Sequence, residues 1–383
     1  MIAEPLVGDE VVRELKGIVK TARSVGVDVT LSELEYFQIF YEILMQCTGI
    51  IAKDEKGDVI HGRNMDFGVP VENITVQVNW QRKNKTVGTS TNFLGYQGVH
   101  TGMRSNQWSV QANERVILEP GPKPLNYAKS SLLLTVHAFL IERHRPLGLS
   151  LRDILLNTGE TYEAAVKELK TVPLASPVYF IVGGLKNGTV LTRDRKGLAQ
   201  ENQDISHVLD IFPNPVPKDA GIRNLTSEFE VQTNWDPWMT MTSKDCIAKL
   251  ATFDQESVKI CDEWVEFAFN DPIGCSHVCM LYSDPRAGFA TKMMLSKNNT
   301  GDTRTRVFTT LNTKPVLQSY TLFTSIMSAS KDIYTTLVRE NNKKQNQDKP
   351  SFNERTNSLR FMFRELTRGV VDTEDLERYV KID

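Results

Sequence analysis

The order of its periodicities predicts an α+β layered fold for this sequence. Three observations carry that prediction. Val11–Ala22 and Leu31–Leu44 repeat apolar residues at helical spacing. The texture changes at Cys47 to short apolar runs separated by turn residues. Strands come first, then helices, then strands again, instead of regularly alternating strand–helix units.

Taken in order, the second helix carries Leu34, Phe37, Tyr41 and Leu44 on one stripe, with Thr30 or Ser32 placed to cap it. Cys47–Ala52 and Val59–Asn64 read as two strands joined by a turn through Lys56-Gly57. More strands are expected over Ile74–Gln81, Thr86–Phe93, Val99–Arg104 and Trp108–Ala112. Helices are expected at Tyr127–Glu142, Leu149–Leu156 and Tyr162–Leu169. Strands return at Val178–Val182, Thr189–Arg193 and Glu228–Thr233. Segment 239–283 differs in texture, with a helix-like stretch at Val258–Phe269. Strand patterns resume at Arg306–Leu311 and Tyr320–Ile326. Asn341–Lys349 is a polar linker, followed by a short amphipathic pattern through Leu359, Met362, Phe363 and Leu366. The chain therefore divides into 1–46, 47–340 with an atypical stretch at 239–283, and a tail at 341–383.

A net charge of -2 gives no basic field, so no nucleic-acid partner is expected. The longest apolar stretch, near Ser131–Ile141, is too short for a membrane span, which needs about 20 residues. Met1-Ile2-Ala3-Glu4-Pro5 shows no signal-peptide pattern. Glycosylation triplets start at Asn73, Asn84, Asn187, Asn224 and Asn298. Cys47 stands alone in the first 245 residues, while Cys246, Cys261, Cys275 and Cys279 crowd together. Cys275 and Cys279 have a spacing used in zinc sites, but the other ligands are loosely placed, and no metal is expected.

An isolated cysteine is a candidate reactive thiol. Cys47 opens a hairpin whose second strand runs His61-Gly62-Arg63-Asn64-Met65-Asp66-Phe67. If the bond before Cys47 were cut, its own α-amine would lie within reach of its own thiol, an arrangement that activates side-chain nucleophiles. The hairpin returns Arg63 and Asp66 towards Cys47. A guanidinium there favours thiolate, and a carboxylate suits the new ammonium. The same spacing also describes a plain hairpin with a buried cysteine and a surface Arg–Asp pair.

The run from Cys47-Thr48-Gly49-Ile50 to Arg63-Asn64-Met65-Asp66-Phe67 resembles the start of the β-subunit in the acid ceramidase family of N-terminal nucleophile hydrolases. N-acylethanolamine acid amidase is a near relative in that group. The likeness continues through Gln81–Val87, Asn113-Glu114-Arg115, Thr161–Ala165, Thr192–Arg195, Gln232–Asp236 and Thr313–Leu317. It implies a four-layer αββα fold with stacked antiparallel sheets. It implies self-cleavage between Gln46 and Cys47 to an α/β heterodimer, and hydrolysis of the ceramide amide to sphingosine and a fatty acid without a cofactor. Carried over by residue, Cys47 is the nucleophile, Arg63 and Asp66 are its partners, and Asn234 serves the oxyanion. Glu114 and Arg286 are implied to bind substrate. The implied partners are an N-acyl lipid such as ceramide, a sphingolipid activator protein and the lysosomal membrane surface. The implied location is lysosomal or secreted. An N-acylethanolamine hydrolase and an inactive lipid-binding homologue are the alternatives.

The sequence departs from that family in four places. The part before Cys47 has 46 residues and lacks the cysteine expected for an α–β disulfide. Gly68–Ile74 replaces a longer loop. Residues 239–283 stand where relatives have a short link. The tail 341–383 has no counterpart.

Overall fold

A computed structural model describes residues 4–39, 46–67, 71–115, 138–139, 142–199, 222–225, 228–236 and 285–339. The chain opens with a single turn, α1 (Glu4–Val7), then α2 (Asp9–Ser24) and α3 (Leu31–Ile39). α2 buries Val11, Val12, Leu15 and Val19 along one stripe. Thr30 caps α3 reciprocally: its hydroxyl accepts the Glu33 N–H (3.2 Å), and the Glu33 carboxylate accepts the Thr30 N–H (2.8 Å). The expected continuation of α3 to Leu44 lies outside the described residues.

Two antiparallel sheets follow. The five-stranded sheet has β1 (Gln46–Lys53), β2 (Val59–Asp66), β10 (Phe229–Gln232), β11 (Thr321–Ser328) and β12 (Ile333–Val338), in the order β10-β1-β2-β11-β12. The seven-stranded sheet has β3 (Thr75–Arg82), β4 (Lys85–Phe93), β5 (Thr101–Arg104), β6 (Trp108–Glu114), β7 (Val178–Gly183), β8 (Gly188–Arg193) and β9 (Ile222–Asn224), in sequence order. The sheets stack with β1 against β6 and β7. Ile51 and Val59 from one meet Tyr179, Ile181 and Val190 from the other in a dry layer.

Helices cover both outer faces. α6 (Pro285–Leu295) and α7 (Thr303–Leu311) close the five-stranded sheet, where Phe289, Met294, Val307 and Leu311 bury Ile50, Ile60, Val231 and Ile326. On the other side, α4 (Leu147–Asp153) runs into a π turn at Ile154–Thr158, and α5 (Tyr162–Thr171) packs on β7 and β8. Leu149 of α4 joins the apolar cluster of α2 and α3. The fold is thus the four-layer αββα arrangement.

Arg306–Leu311 is helical, where the sequence predicts a strand. Its β-branched and aromatic residues favour strand. Asp302 overrides this by accepting the Thr305 N–H at 2.8 Å as an N-cap. Val307 and Leu311, four residues apart, then land together on Gly62 of β2. A Cβ at Gly62 would sit inside van der Waals contact with Val307 Cγ1 and Leu311 Cδ1. Gly62→Ala should therefore destabilise the chain by about 1–3 kcal/mol through overpacking. A lowered urea midpoint checks this, and an unchanged midpoint would show that α7 shifts freely.

α6, β9 and β12 are additions of the structure. β12, Ile333-Tyr334-Thr335-Thr336-Leu337-Val338, is rich in β-branched and aromatic residues and was readable as a strand. Residues 127–137 and the whole of 239–283, including the four clustered cysteines, lie outside the described residues, as does the tail 341–383. Residues Met1–Glu340 form one compact unit. Among the described residues no helix is long and apolar enough to cross a membrane, and no group of acidic, His and Cys side chains is placed to hold a metal.

Candidate active site

Strand register builds the site. The β1–β2 pairing sets Cys47 opposite Met65 and Gly49 opposite Arg63. Successive strand side chains face opposite ways. Cys47, Arg63 and Met65 therefore share the face that looks across to the seven-stranded sheet. Asn64 and Asp66 share the face beneath the helices, where Asn64 Nδ2 donates to the Leu311 carbonyl at 2.7 Å.

On the first face, Arg63 is fully buried. Its Nη2 donates to Cys47 Sγ at 3.1 Å, to Met65 Sδ at 3.2 Å and to the Ala112 carbonyl at 3.2 Å. Its Nη1 donates to the His100 carbonyl and the Thr101 hydroxyl. Burial pushes the Cys47 thiol up, and this outweighs the downward pull of Arg63. The sequence expectation of a thiolate beside Arg63 thus meets a larger opposing effect in the uncut chain. Burial also disfavours the charged form of the nearby imidazoles. Burial drives His61 down to about 3 and His100 well below its usual range. Arg63 is the cation in contact with the sulfur.

At the backbone nitrogen of the same cysteine, a second set of contacts converges. The Cys47 N–H donates to Asn234 Oδ1 at 2.7 Å. Arg286 Nη2 donates to that oxygen at 3.0 Å, and Asn234 Nδ2 donates to the Glu114 carbonyl at 2.8 Å. Two donors meet one end of the amide and an acceptor meets the other, which fixes which way the group points. Arg286 Nη1 also donates to Asp66 Oδ2 at 3.1 Å, and the Thr321 hydroxyl donates to Asp66 Oδ1 at 2.5 Å. Burial is the largest influence on the Asp66 carboxyl. It raises it to about 6 against the opposing pull of Arg286, Thr321 and Arg63.

Cys47, Arg63, Asp66, Asn234 and Arg286 therefore fall together from β1, β2, the turn after β10 and the start of α6. Arg286 is nearly fully buried and reaches Asp66 and Asn234 with its two terminal nitrogens. Glu114 reaches the cluster through its backbone carbonyl, while its side chain is half-buried at the end of β6. Sequence reasoning gave no role to Met65, Thr321, Arg115, Asp236 and Tyr179. Met65 was legible in principle, because a hairpin with Cys47 at its start places it across the ladder. Thr321 becomes relevant only once β11 pairs with β2 and sets it against Asp66.

Comparison with known proteins gives the family and the fold. The family described as linear amide C–N hydrolases, choloylglycine hydrolase family, matches residues 47–257. The chain is similar to acid ceramidase of Mus musculus, with 29% identity over 331 residues, covering 82% of this chain and 67% of that one. It is also similar to the N-acylethanolamine-hydrolyzing acid amidase of Oryctolagus cuniculus, at 29% over 320 residues, covering 82% and 69%. The solved structure of the Caenorhabditis elegans N-acylethanolamine-hydrolyzing acid amidase ortholog has the same fold. It superposes with a TM-score of 0.50 at 24% identity over 77% of this chain and 100% of that one. The family match opens on Cys47 itself and takes in more than half of the sequence, so this chain belongs to the choloylglycine hydrolase family of linear amide C–N hydrolases and is an amidohydrolase.

Proposed function

We propose that this protein is a ceramide-class N-acyl lipid amidohydrolase that activates itself by cutting between Gln46 and Cys47. One observation carries the reading. Both atoms of Cys47 that an N-terminal nucleophile uses are already held, the sulfur by Arg63 at 3.1 Å and the nitrogen by Asn234 at 2.7 Å.

In maturation, the Cys47 sulfur attacks the Gln46 carbonyl. The Gln46–Cys47 C–N bond breaks, the amine takes a proton, and the acyl group passes to sulfur. Water then hydrolyses the thioester, leaving a Gln46 carboxylate, a free thiol and the Cys47 amine. In turnover, the sulfur attacks the lipid amide carbonyl. The Asn234 amide nitrogen has two hydrogens, and the Glu114 carbonyl needs one of them; the amide serves the oxyanion as negative charge develops. The Cys47 ammonium protonates the leaving sphingoid amine, and water releases the fatty acid. Asp66 and Arg286 hold the ammonium and the Asn234 amide in register. Glu114 and Arg286 border the bound lipid head group. Residues 1–46 form the smaller chain of the heterodimer, 47–340 the catalytic chain, and 341–383 an appended tail.

The relatives named for ceramide and for N-acylethanolamines support an N-acyl lipid substrate. The ceramide assignment leans on Asn64-Met65-Asp66-Phe67-Gly68. A lysosomal or secreted location, with an activator protein and a membrane surface as partners, extends the same reading. It draws support from the five glycosylation triplets, whose asparagines are all exposed. Two measurements test the proposal. After incubation at acidic pH, sequencing of the larger fragment should begin at Cys47. The matured enzyme should turn over ceramide faster than an N-acylethanolamine. The reverse preference would transfer the assignment to the second lipid, and an intact chain would leave an unprocessed lipid-binding homologue.

A pH-linked prediction follows from Asp66. Between the ordinary 3.8 and about 6, the folded chain holds its proton while the unfolded chain does not. In that window the folded state binds more protons, so this group's contribution to stability falls as pH rises and is flat above it. On an uncut Cys47→Ala background, Asp66→Asn should gain stability relative to its parent between pH 4 and pH 7, by at most about 3 kcal/mol. Urea midpoints at the two pH values check the sign. Parallel behaviour of parent and variant would show that Asp66 is not a raised carboxyl.

A further inference from the structure

The contacts that fix Asn234 leave a problem. Its tie to the Cys47 N–H is made to the very peptide that maturation cuts. Arg286 stays on the Asn234 oxygen, and the contacts that hold the turn carrying Asn234 set where the amide points once that peptide is cut. The Glu114 carbonyl is one rung between β6 and the turn carrying Asn234. A second rung stands one residue after Glu114 and two residues after Asn234. Arg115 meets Asp236 in a fork, Nε to Oδ1 at 2.7 Å and Nη2 to Oδ2 at 2.7 Å. The Tyr179 hydroxyl, from neighbouring β7, donates to the same Oδ1. Arg115 Nη1 also reaches Asp194 at 2.5 Å. Arg115, Asp236 and Tyr179 are all buried, with Tyr179 fully so.

Asn113 Nδ2 donates to the Gln232 and Thr233 carbonyls at 3.1 and 3.3 Å and holds the turn on the side before Asn234. The Arg115–Asp236 fork holds the side after it, and anchoring on both sides fixes the orientation of the turn. Resting on the reading of Asn234 as the oxyanion donor, we propose that Arg115 and Asp236, braced by Tyr179, are positioning residues that aim the Asn234 amide at the reacting carbonyl. A planar guanidinium suits this task because its fork fixes direction as well as distance, which a lysine ammonium does not.

The test uses the matured enzyme and its N-acyl lipid substrate. Arg115→Lys keeps the charge and removes the fork. Its kcat should fall by roughly 10–100-fold, in line with slight misplacement of a catalytic group, with KM within about twofold. Tyr179→Phe, a smaller change that keeps the packing, should lower kcat by about 3–10-fold at unchanged KM. The deciding measurement is the double variant. On an Asn234→Ala background, Arg115→Lys should lower kcat no further, because the group it aims is gone. Full multiplicative loss in the double variant, or an unchanged kcat in both single variants, overturns the positioning role while leaving Asn234 as donor. An Asn234→Ala enzyme with undiminished kcat overturns the underlying reading and the inference together.

Discussion

Cys47→Ala should leave the chain as one full-length band at acidic pH and lower amide hydrolysis by ~10⁴-fold or more, the scale seen when a covalent nucleophile is removed. The expectation is strict because one sulfur is asked to do two jobs. It opens the peptide before it, and it carries the acyl group in turnover. The side chain is fully buried in the inter-sheet layer, so alanine leaves a cavity of only one sulfur atom and keeps the fold. The Cys47 N–H to Asn234 bond uses the backbone and survives the change. A loss of activity with an unchanged melting transition would therefore report chemistry. A Cys47→Ala chain that still splits in two would show that another nucleophile, or a contaminating protease, makes the cut. Cys47→Ser separates the steps further, since a hydroxyl beside Arg63 is a far weaker nucleophile than a thiol but preserves the volume.

How far the site was legible depends on where each residue sits relative to the strand ladder. The β1–β2 hairpin could be read directly, because period-two alternation and the Lys56-Gly57 turn fix its register. That register alone brings Arg63 back to the start of β1. Asn234 and Arg286 are 187 and 220 residues from Cys47 and Asp66 respectively, and local pattern says nothing across such distances. They were reached through resemblance of whole motif blocks. Thr321 escaped notice, and Arg115 and Asp236 stood only as members of family blocks with no role, because their importance is set by pairing between distant elements. Arg306–Leu311 was misread for the opposite reason. Its residues favour strand individually, but a cap at Asp302 and the empty surface over Gly62 favour a helix collectively. Burial had the same effect on the chemistry: the guanidinium beside Cys47 was expected, but not that desolvation would outweigh it.

Arg63→Lys should slow self-cleavage by about 10²–10³-fold, the range for losing a preorganised electrostatic contact. Arg63→Ala should also lower stability by about 1–3 kcal/mol. The two effects have separate causes. The Arg63 guanidinium donates to the carbonyls of His100 and Ala112 in a buried layer. Alanine removes that donor from both carbonyls. The His100 carbonyl keeps the Ala112 N–H at 3.0 Å, so the loss is that of buried charged hydrogen bonds and their packing, about 1–3 kcal/mol in all. Lysine keeps a positive charge in the layer but cannot span both carbonyls and the sulfur from one nitrogen. For reactivity, the sign follows from the order of influences on the thiol. Burial raises it, and Arg63 is the largest group lowering it. Weakening that contact leaves burial less opposed, so the thiol rises further and the thiolate fraction at a given pH drops tenfold for each unit. The cleavage rate of Arg63→Lys plotted against pH should accordingly be displaced towards higher pH relative to the parent, and raising the pH should recover part of the loss. A uniform reduction at every pH would assign Arg63 to scaffolding alone, and an unaltered rate would remove it from the mechanism.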